Sequence, residues 1–96
     1  MSENKSVSNL EMTLLAKWTE GVNSTLPRVK KERLRQLSKW GLQNHEPLFW
    51  LGVITEENGE IAKAMIEGDM EQAKKEAIEC AACCIAFVQN LETGEA

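Results

Sequence analysis

Two pairs of closely spaced glutamates are the residues of this chain best suited to chemistry. Glu57 and Glu60 stand one helical turn apart in the stretch EENGE, and Glu76 and Glu79 repeat that spacing in KEAIECAACC. Carboxylate oxygens are the ligands that hard divalent cations such as Mg²⁺ prefer. Four carboxylates would bind such a cation if the fold brought the two pairs face to face.

The helical positions of these glutamates place them among apolar side chains. At about 100° per residue, Glu57 falls within roughly 20° of Trp50 and Ala64, in the middle of an apolar stripe. Glu76 is equally close to Cys83, and the second glutamate of each pair lies on the edge of its stripe. Unpaired carboxylates in an apolar seam cost several kcal/mol each, so we expect a bound cation to compensate.

Other metals fit the sequence less well. A ferritin-like di-iron site needs Glu-x-x-His twice, and the only histidine, His45, falls in a predicted loop. Cys80, Cys83 and Cys84 have helical spacing but no further zinc ligands, so we expect them to pack as small apolar side chains. Mg²⁺ is therefore the cation that the sequence favours.

Four helices are predicted to position the glutamates. Ser8 and Asp69 are predicted N-caps, while Gly21, Gly41 and Gly68 are predicted to end helices. The last two helices are joined by only a couple of residues, so we expect an antiparallel hairpin that brings the two glutamate pairs together. The fold class is all-α, an antiparallel bundle of about four helices. The predicted helices cover about residues 8–22, 26–40, 47–67 and 69–92.

Length and charge restrict the possible functions. The chain of 96 residues predicts one domain, 1–96, with flexible ends at 1–7 and 93–96. The net charge is −4, with a basic stretch at residues 28–39 and an acidic stretch at residues 56–79. The acidic part would repel a nucleic-acid backbone, so no nucleic-acid partner is expected.

Compartment and assembly also have sequence signals. No apolar run is long enough to cross a membrane, and residues 1–9 lack the apolar core of a secretory signal. Three cysteines, an odd number, also do not suggest a disulfide framework. Together these features predict a cytoplasmic protein. The last helix has a second apolar face opposite the glutamates, which predicts a homo-oligomer that forms a larger bundle. That face consists of Ile78, Ala81, Ala82, Ile85 and Val88.

Four stretches of the chain match one family pattern. They are Lys39-Trp40-Gly41-x-Gln43-x-His45, Trp50-Leu51, Glu56-Glu57-x-Gly59-Glu60 and Glu76-x-x-Glu79. Together they resemble the MazG-like all-α nucleoside triphosphate pyrophosphohydrolases, which carry Glu-Glu-x-x-Glu followed by Glu-x-x-Asp. The resemblance covers roughly residues 30–92.

The resemblance implies a function for each glutamate. Glu57, Glu60, Glu76 and Glu79 would bind Mg²⁺, with Mn²⁺ as a substitute, and Glu56 would belong to an outer acidic shell. The expected reaction is hydrolysis of a (deoxy)nucleoside triphosphate to the monophosphate and pyrophosphate, by a house-cleaning or nucleotide-pool enzyme. Glu57 or Glu60 would take the proton of the attacking water. Family members are dimers or tetramers. Glu79 replaces the usual Asp, which leaves the number and geometry of the metal ions open.

The loop before the third helix has side chains suited to a nucleobase. Its two tryptophans offer faces for stacking, a glutamine and a histidine offer hydrogen bonds, and two nearby lysines could meet phosphate oxygens. The alternatives are that the tryptophans are core residues and that the lysines are solvated. The predicted substrate-binding residues are Lys39, Trp40, Gln43, His45, Trp50 and Lys63.

A second class of function remains open. The chain would then be a non-catalytic helical dimerisation module, with its glutamates in salt bridges to the basic second helix. The basic residues at 28–35 form a solvated face, attract the triphosphate, or lie at a subunit boundary.

Overall fold

Three α-helices and no strand make up the part of the chain that the computed structural model describes, residues 8–96. The helices are α1 (Asn9–Trp40), α2 (Pro47–Ile66) and α3 (Met70–Thr93). α3 packs against both α1 and α2, whereas these two do not pack against each other. The prediction of an all-α fold is confirmed, with α3 as the central helix.

Helix α1 is continuous where the sequence predicts two helices. Gly21, the polar run after it and Pro27 all lie inside the helix. Its hydroxyl groups bond to its own backbone: Thr19 Oγ1 donates to the Leu15 carbonyl at 2.9 Å, and Ser24 Oγ donates to the Gly21 carbonyl at 3.0 Å. Such bonds let Ser and Thr remain within a helix. The predicted break at residues 21–25 is therefore wrong, and the structure has three helices instead of four.

The predicted helix ends are confirmed at several places. Ser8 forms a complete capping box with Glu11, and Gly41, directly after α1, has a φ of 71° that suits glycine. Asp69 caps α3 by accepting a hydrogen bond from the Gln72 N–H at 3.0 Å. The Gln72 side chain does not complete the box, because it donates to Glu76 at 2.7 Å. The Gln72 side chain in the first turn of α3 thus bonds to a candidate metal ligand.

Helices α2 and α3 form a hairpin around residues 67–69, as the short connection predicts. Four alanines of the hairpin are buried: Ala64 on α2, and Ala73, Ala82 and Ala86 on α3. Small residues allow close approach of two backbones, so side chains on facing turns come within contact distance. This packing determines which glutamates meet.

Asn90 joins the hairpin to the loop that precedes α2. Its side-chain oxygen accepts hydrogen bonds from the Trp50 indole N–H and, at 2.9 Å, from the backbone N–H of His45. Trp50 is 4% exposed and packs in a small cluster with Ala86 and Ala96. A buried indole needs a polar partner, and Asn90 supplies it.

The first part of α1 packs on nothing within the described chain. From residue 9 to residue 28 only Val22 is partly covered, and Val29 is the first buried residue of the helix. Large apolar side chains are at least half exposed over this stretch. They are Leu10, Met12, Leu14, Leu15, Trp18 and Leu26.

The predicted flexibility of residues 1–7 falls outside the described residues. After α3 ends at Thr93, the backbone of Ala96 exchanges two hydrogen bonds with the backbone of Gln43. Within residues 8–96, none of the helices combines the length and the apolar character needed to span a bilayer.

Candidate metal centre

Three of the four predicted ligands meet between α2 and α3. One carboxylate oxygen from each of Glu57, Glu76 and Glu79 lies within 4.8 Å of the other two. Glu57 comes from α2, and the other two are one turn apart on α3. The close packing of the hairpin thus brings together residues that are about 20 positions apart in the chain. We call these three residues the acidic cluster.

No salt bridge within the described residues pairs with the acidic cluster, although Lys75 lies near enough to oppose the rise in the pKa of Glu79. The two ion pairs within residues 8–96 join Arg35 to Glu32 and Lys74 to Glu71, outside the cluster. One oxygen of Glu57 is buried without a hydrogen-bond partner. Glu76 is only 7% exposed and receives a single side-chain hydrogen bond, from Gln72. Buried carboxylates without partners are costly, so the cluster is not explained by the contacts of the folded chain.

Burial and mutual repulsion change the acidity of the cluster. Loss of hydration raises the pKa of Glu57 from its ordinary 4.5 to about 7, with further contributions from the neighbouring Glu79 and Glu76. The pKa of Glu79 is raised by the same loss of hydration and then by Glu76. Adding a cation would remove the repulsion and favour the ionised carboxylates.

The donor set fits a hard divalent cation. All three groups are carboxylates, which suit Mg²⁺ and Mn²⁺, and the unpartnered oxygen of Glu57 is free to coordinate. Mg²⁺ is commonly held by a few carboxylates together with substrate phosphates and water. Three ligands are therefore enough if a phosphorylated substrate supplies others.

Glu60 and Glu56 lie outside the acidic cluster. Both side chains are exposed, although Glu60 was predicted to bind the cation with the other three glutamates. Glu60 is near enough to contribute slightly to the raised pKa of Glu57. Among the described residues, the cluster thus contains three of the four predicted ligands, with Glu60 on its outer side.

A cavity of about 270 Å³ opens beside the acidic cluster, and we call it the aromatic cavity. Its wall includes Glu57 and Glu79, together with three of the predicted substrate-binding residues, Trp40, Gln43 and Trp50. An aromatic surface and an amide therefore lie in one cavity with two candidate metal ligands. The arrangement would suit a ring that stacks and accepts hydrogen bonds.

The remaining predicted substrate-binding residues do not line the aromatic cavity. Lys39 places its ammonium 4.7 Å from the centre of the Trp40 ring. His45 stacks on Phe49 with ring centres 3.7 Å apart, and its Nε2 is buried without a partner. Lys63 is exposed in the last turn of α2. Their predicted contacts with a nucleotide remain predictions.

Helix α1 contributes residues that the sequence did not single out. Glu32 is bound by Arg35 through two contacts of 2.8 Å and also accepts a hydrogen bond from Gln36 at 3.1 Å. Gln36 in turn lies 3.7 Å from the Cys83 sulfur on α3. Arg33 has two buried nitrogens without partners. It lines the aromatic cavity together with Glu32, Arg35 and Gln36. The sequence offered no usable signal for Gln36. Its burial within a basic helix face becomes visible only once the packing of α1 on α3 is known.

Comparisons of the chain with family models, with curated proteins and with solved structures found no match. The resemblance to the MazG-like family therefore depends on the matching stretches of the sequence.

Proposed function

We propose that the protein is a Mg²⁺-dependent nucleoside triphosphate pyrophosphohydrolase of the MazG-like kind. The acidic cluster is the main support: three carboxylates within 4.8 Å, one with an unpartnered buried oxygen, and no salt bridge within the described residues to any of them. The aromatic cavity beside it adds a place for the nucleobase. The resemblance supplies the reaction class.

The reaction is the attack of water on the triphosphate with cleavage of the α–β anhydride bond, giving a nucleoside monophosphate and pyrophosphate. A divalent cation in the cluster would offset the charge that develops on the phosphate oxygens and make water a better nucleophile. Glu57, Glu76 and Glu79 would bind the cation, and Trp40 and Gln43 would orient the base. Trp50 is a core residue, 4% exposed, and only forms part of the cavity wall. Glu57 or Glu60 accepts the proton of the water.

Pyrophosphate release from a panel of ribo- and deoxyribonucleoside triphosphates, with Mg²⁺ or with EDTA, tests the proposal. We expect turnover of at least one nucleotide that requires the metal. Glu57→Gln should abolish this turnover, whereas Glu92→Gln, which removes an exposed charge from the end of α3, should retain it. No turnover of any nucleotide, together with stability that is unchanged by Mg²⁺ or EDTA, would disprove the enzymatic function and favour the non-catalytic dimerisation module.

The variant Glu79→Asp addresses the departure from the family pattern. It restores the usual residue and keeps the charge, so Mg²⁺ binding should persist, whereas Glu79→Gln should weaken it. Isothermal titration with Mg²⁺ measures both. Equal Mg²⁺ affinity in Glu79→Gln and in the wild-type protein would remove Glu79 from the ligand set.

We also propose that the protein is a homo-oligomer, a dimer or a tetramer, in which a second copy covers the first part of α1. A helix of 20 residues is about 30 Å long and is marginal in water when nothing packs on it. The exposed side chains of Leu14 and Trp18 are 57% and 65% accessible. Sedimentation velocity should show an assembly that Trp18→Glu dissociates. Ser24→Glu, which adds the same charge to the polar side of the helix, should leave it intact.

A further inference from the structure

A second cavity lies on the other side of Glu79 and has a cationic wall. Its volume is about 500 Å³, and we call it the basic cavity. Glu32, Arg35 and Glu79 line both cavities, so the two spaces meet at these three side chains. The basic cavity is completed by residues of α1 and of the first turns of α3. These are Arg28, Glu71, Lys74, Lys75 and Ile78.

The cations of the basic cavity are not equally engaged. Arg35 is held by Glu32 at 2.8 Å, and Lys74 is held by Glu71 at 2.9 Å. Arg28 and Lys75 belong to neither of the ion pairs found within residues 8–96. Both side chains are exposed and line the cavity, one from α1 and one from α3. Once a metal ion takes up the charge of Glu79, the four cations of the cavity face only two carboxylates, Glu32 and Glu71, and these are already paired with Arg35 and Lys74.

The order of chemical groups along the two cavities matches the order of groups along a nucleotide. Aromatic and amide groups lie at one end, the acidic cluster borders the middle, and Arg28 and Lys75 lie at the other end. A nucleoside triphosphate likewise runs from a base, through the phosphate nearest the sugar, to two further phosphates that carry most of the negative charge. Lys and Arg bind phosphate oxygens through charge-assisted hydrogen bonds.

We propose that the basic cavity is a polyphosphate subsite in which Arg28 and Lys75 hold the two terminal phosphates of the substrate. This inference deepens the proposed function and rests on it for the identity of the substrate. The subsite would retain the pyrophosphate group while the bond at the acidic cluster is cleaved. It also explains why a triphosphate would be preferred, because a monophosphate bound through its base does not reach these cations.

Binding of inorganic pyrophosphate in the presence of Mg²⁺ gives a direct test. Isothermal titration should show binding that weakens about tenfold or more in Arg28→Gln and in Lys75→Gln, which is the loss expected for one charge-assisted contact. Lys31→Gln is the matched control, since it removes one exposed charge from α1 at a position that does not line the cavity. Arg28→Lys keeps the charge and should retain most of the affinity.

Steady-state kinetics supply a second readout. KM for the nucleoside triphosphate and the inhibition constant of pyrophosphate should both rise in the Arg28 and Lys75 variants, while inhibition by the nucleoside monophosphate stays as in the wild-type protein. If nucleotides are hydrolysed but both variants behave like Lys31→Gln, the subsite is disproved and the proposed function stands. If no nucleotide is hydrolysed but pyrophosphate binding depends on Arg28 and Lys75, the subsite stands and the proposed function fails.

Discussion

Replacing Glu57 by Gln should stabilise the metal-free protein at pH values above neutrality. Burial and the neighbouring Glu79 and Glu76 raise the pKa of Glu57 from 4.5 to about 7. A rise of this size corresponds to about 3 kcal/mol against the ionised form. Because the side chain is half-buried and keeps contact with water, screening reduces the expected gain to about 1–2 kcal/mol. Glutamine has nearly the same shape and carries no charge, so it removes this repulsion without leaving a cavity.

The effect has a definite dependence on pH. In the folded protein Glu57 keeps its proton at pH values where the unfolded chain has already lost it. The folded state therefore binds more protons between about pH 4.5 and 7, and the free energy of unfolding falls as pH rises through this window. The contribution is complete below about pH 4.5 and is lost above about pH 7. Glu57→Gln lacks this titrating group, so its free energy of unfolding should depend less on pH.

Urea denaturation in EDTA, followed by far-UV circular dichroism at about pH 5 and about pH 8, measures the difference. Glu57→Gln should exceed the wild-type free energy of unfolding at the higher pH and approach it at the lower pH. Glu56→Gln is the control, and its exposed charge should matter little. Adding Mg²⁺ should stabilise the wild-type protein more than the variant. Equal stability of wild type and Glu57→Gln in EDTA at the higher pH would refute the electrostatic reasoning.

Two further predictions concern other parts of the fold. Asn90→Ala should lower the free energy of unfolding by about 1–3 kcal/mol in urea denaturation, because the Trp50 indole loses its buried acceptor. Gln89→Ala, at an exposed neighbouring position, is the control and should change this free energy little. Burial raises the pKa of Cys83 to about 11, so maleimide should label the exposed Cys84 first in the folded protein and reach Cys83 only after unfolding. Peptide mass spectrometry identifies the labelled residue. Early labelling of Cys83 would contradict its burial.

The sequence predicts the hairpin well because its signals are local. Gly68, with a φ of 76°, and Asp69, which caps α3, determine the connection through their own backbone or side-chain chemistry. Helical periodicity places Glu57 and Glu76 among apolar side chains. The same periodicity put Glu60 on the edge of the stripe, and it is exposed in the structure. Position on the helix does not by itself decide membership of the acidic cluster, because Glu79 has the same edge position on α3 and belongs to the cluster.

The contribution of α1 could not be predicted in the same way. Gln36 approaches Cys83 across 47 positions of the chain, and no local pattern specifies which face of α1 meets α3. Continuity of the helix through Pro27 could not be predicted either, because an interior Pro costs about 3 kcal/mol in a helix and the local pattern therefore favours a break. Both α1-lined cavities were consequently missed, although the basic residues that line them were noticed.

The proposed assembly and the proposed site are physically connected through α1. This helix supplies Glu32, Arg35 and Arg28 to the two cavities. Within residues 8–96, however, it packs on α3 alone, and its first 20 residues are uncovered. A second copy that covered Leu14 and Trp18 would hold α1 more firmly against α3 and so fix the distance between Arg28 and the acidic cluster. Catalysis by positioning depends on such distances being constant. Oligomerisation would then do more than stabilise a small domain, because it would set the geometry in which a triphosphate reaches from the aromatic cavity to the basic one.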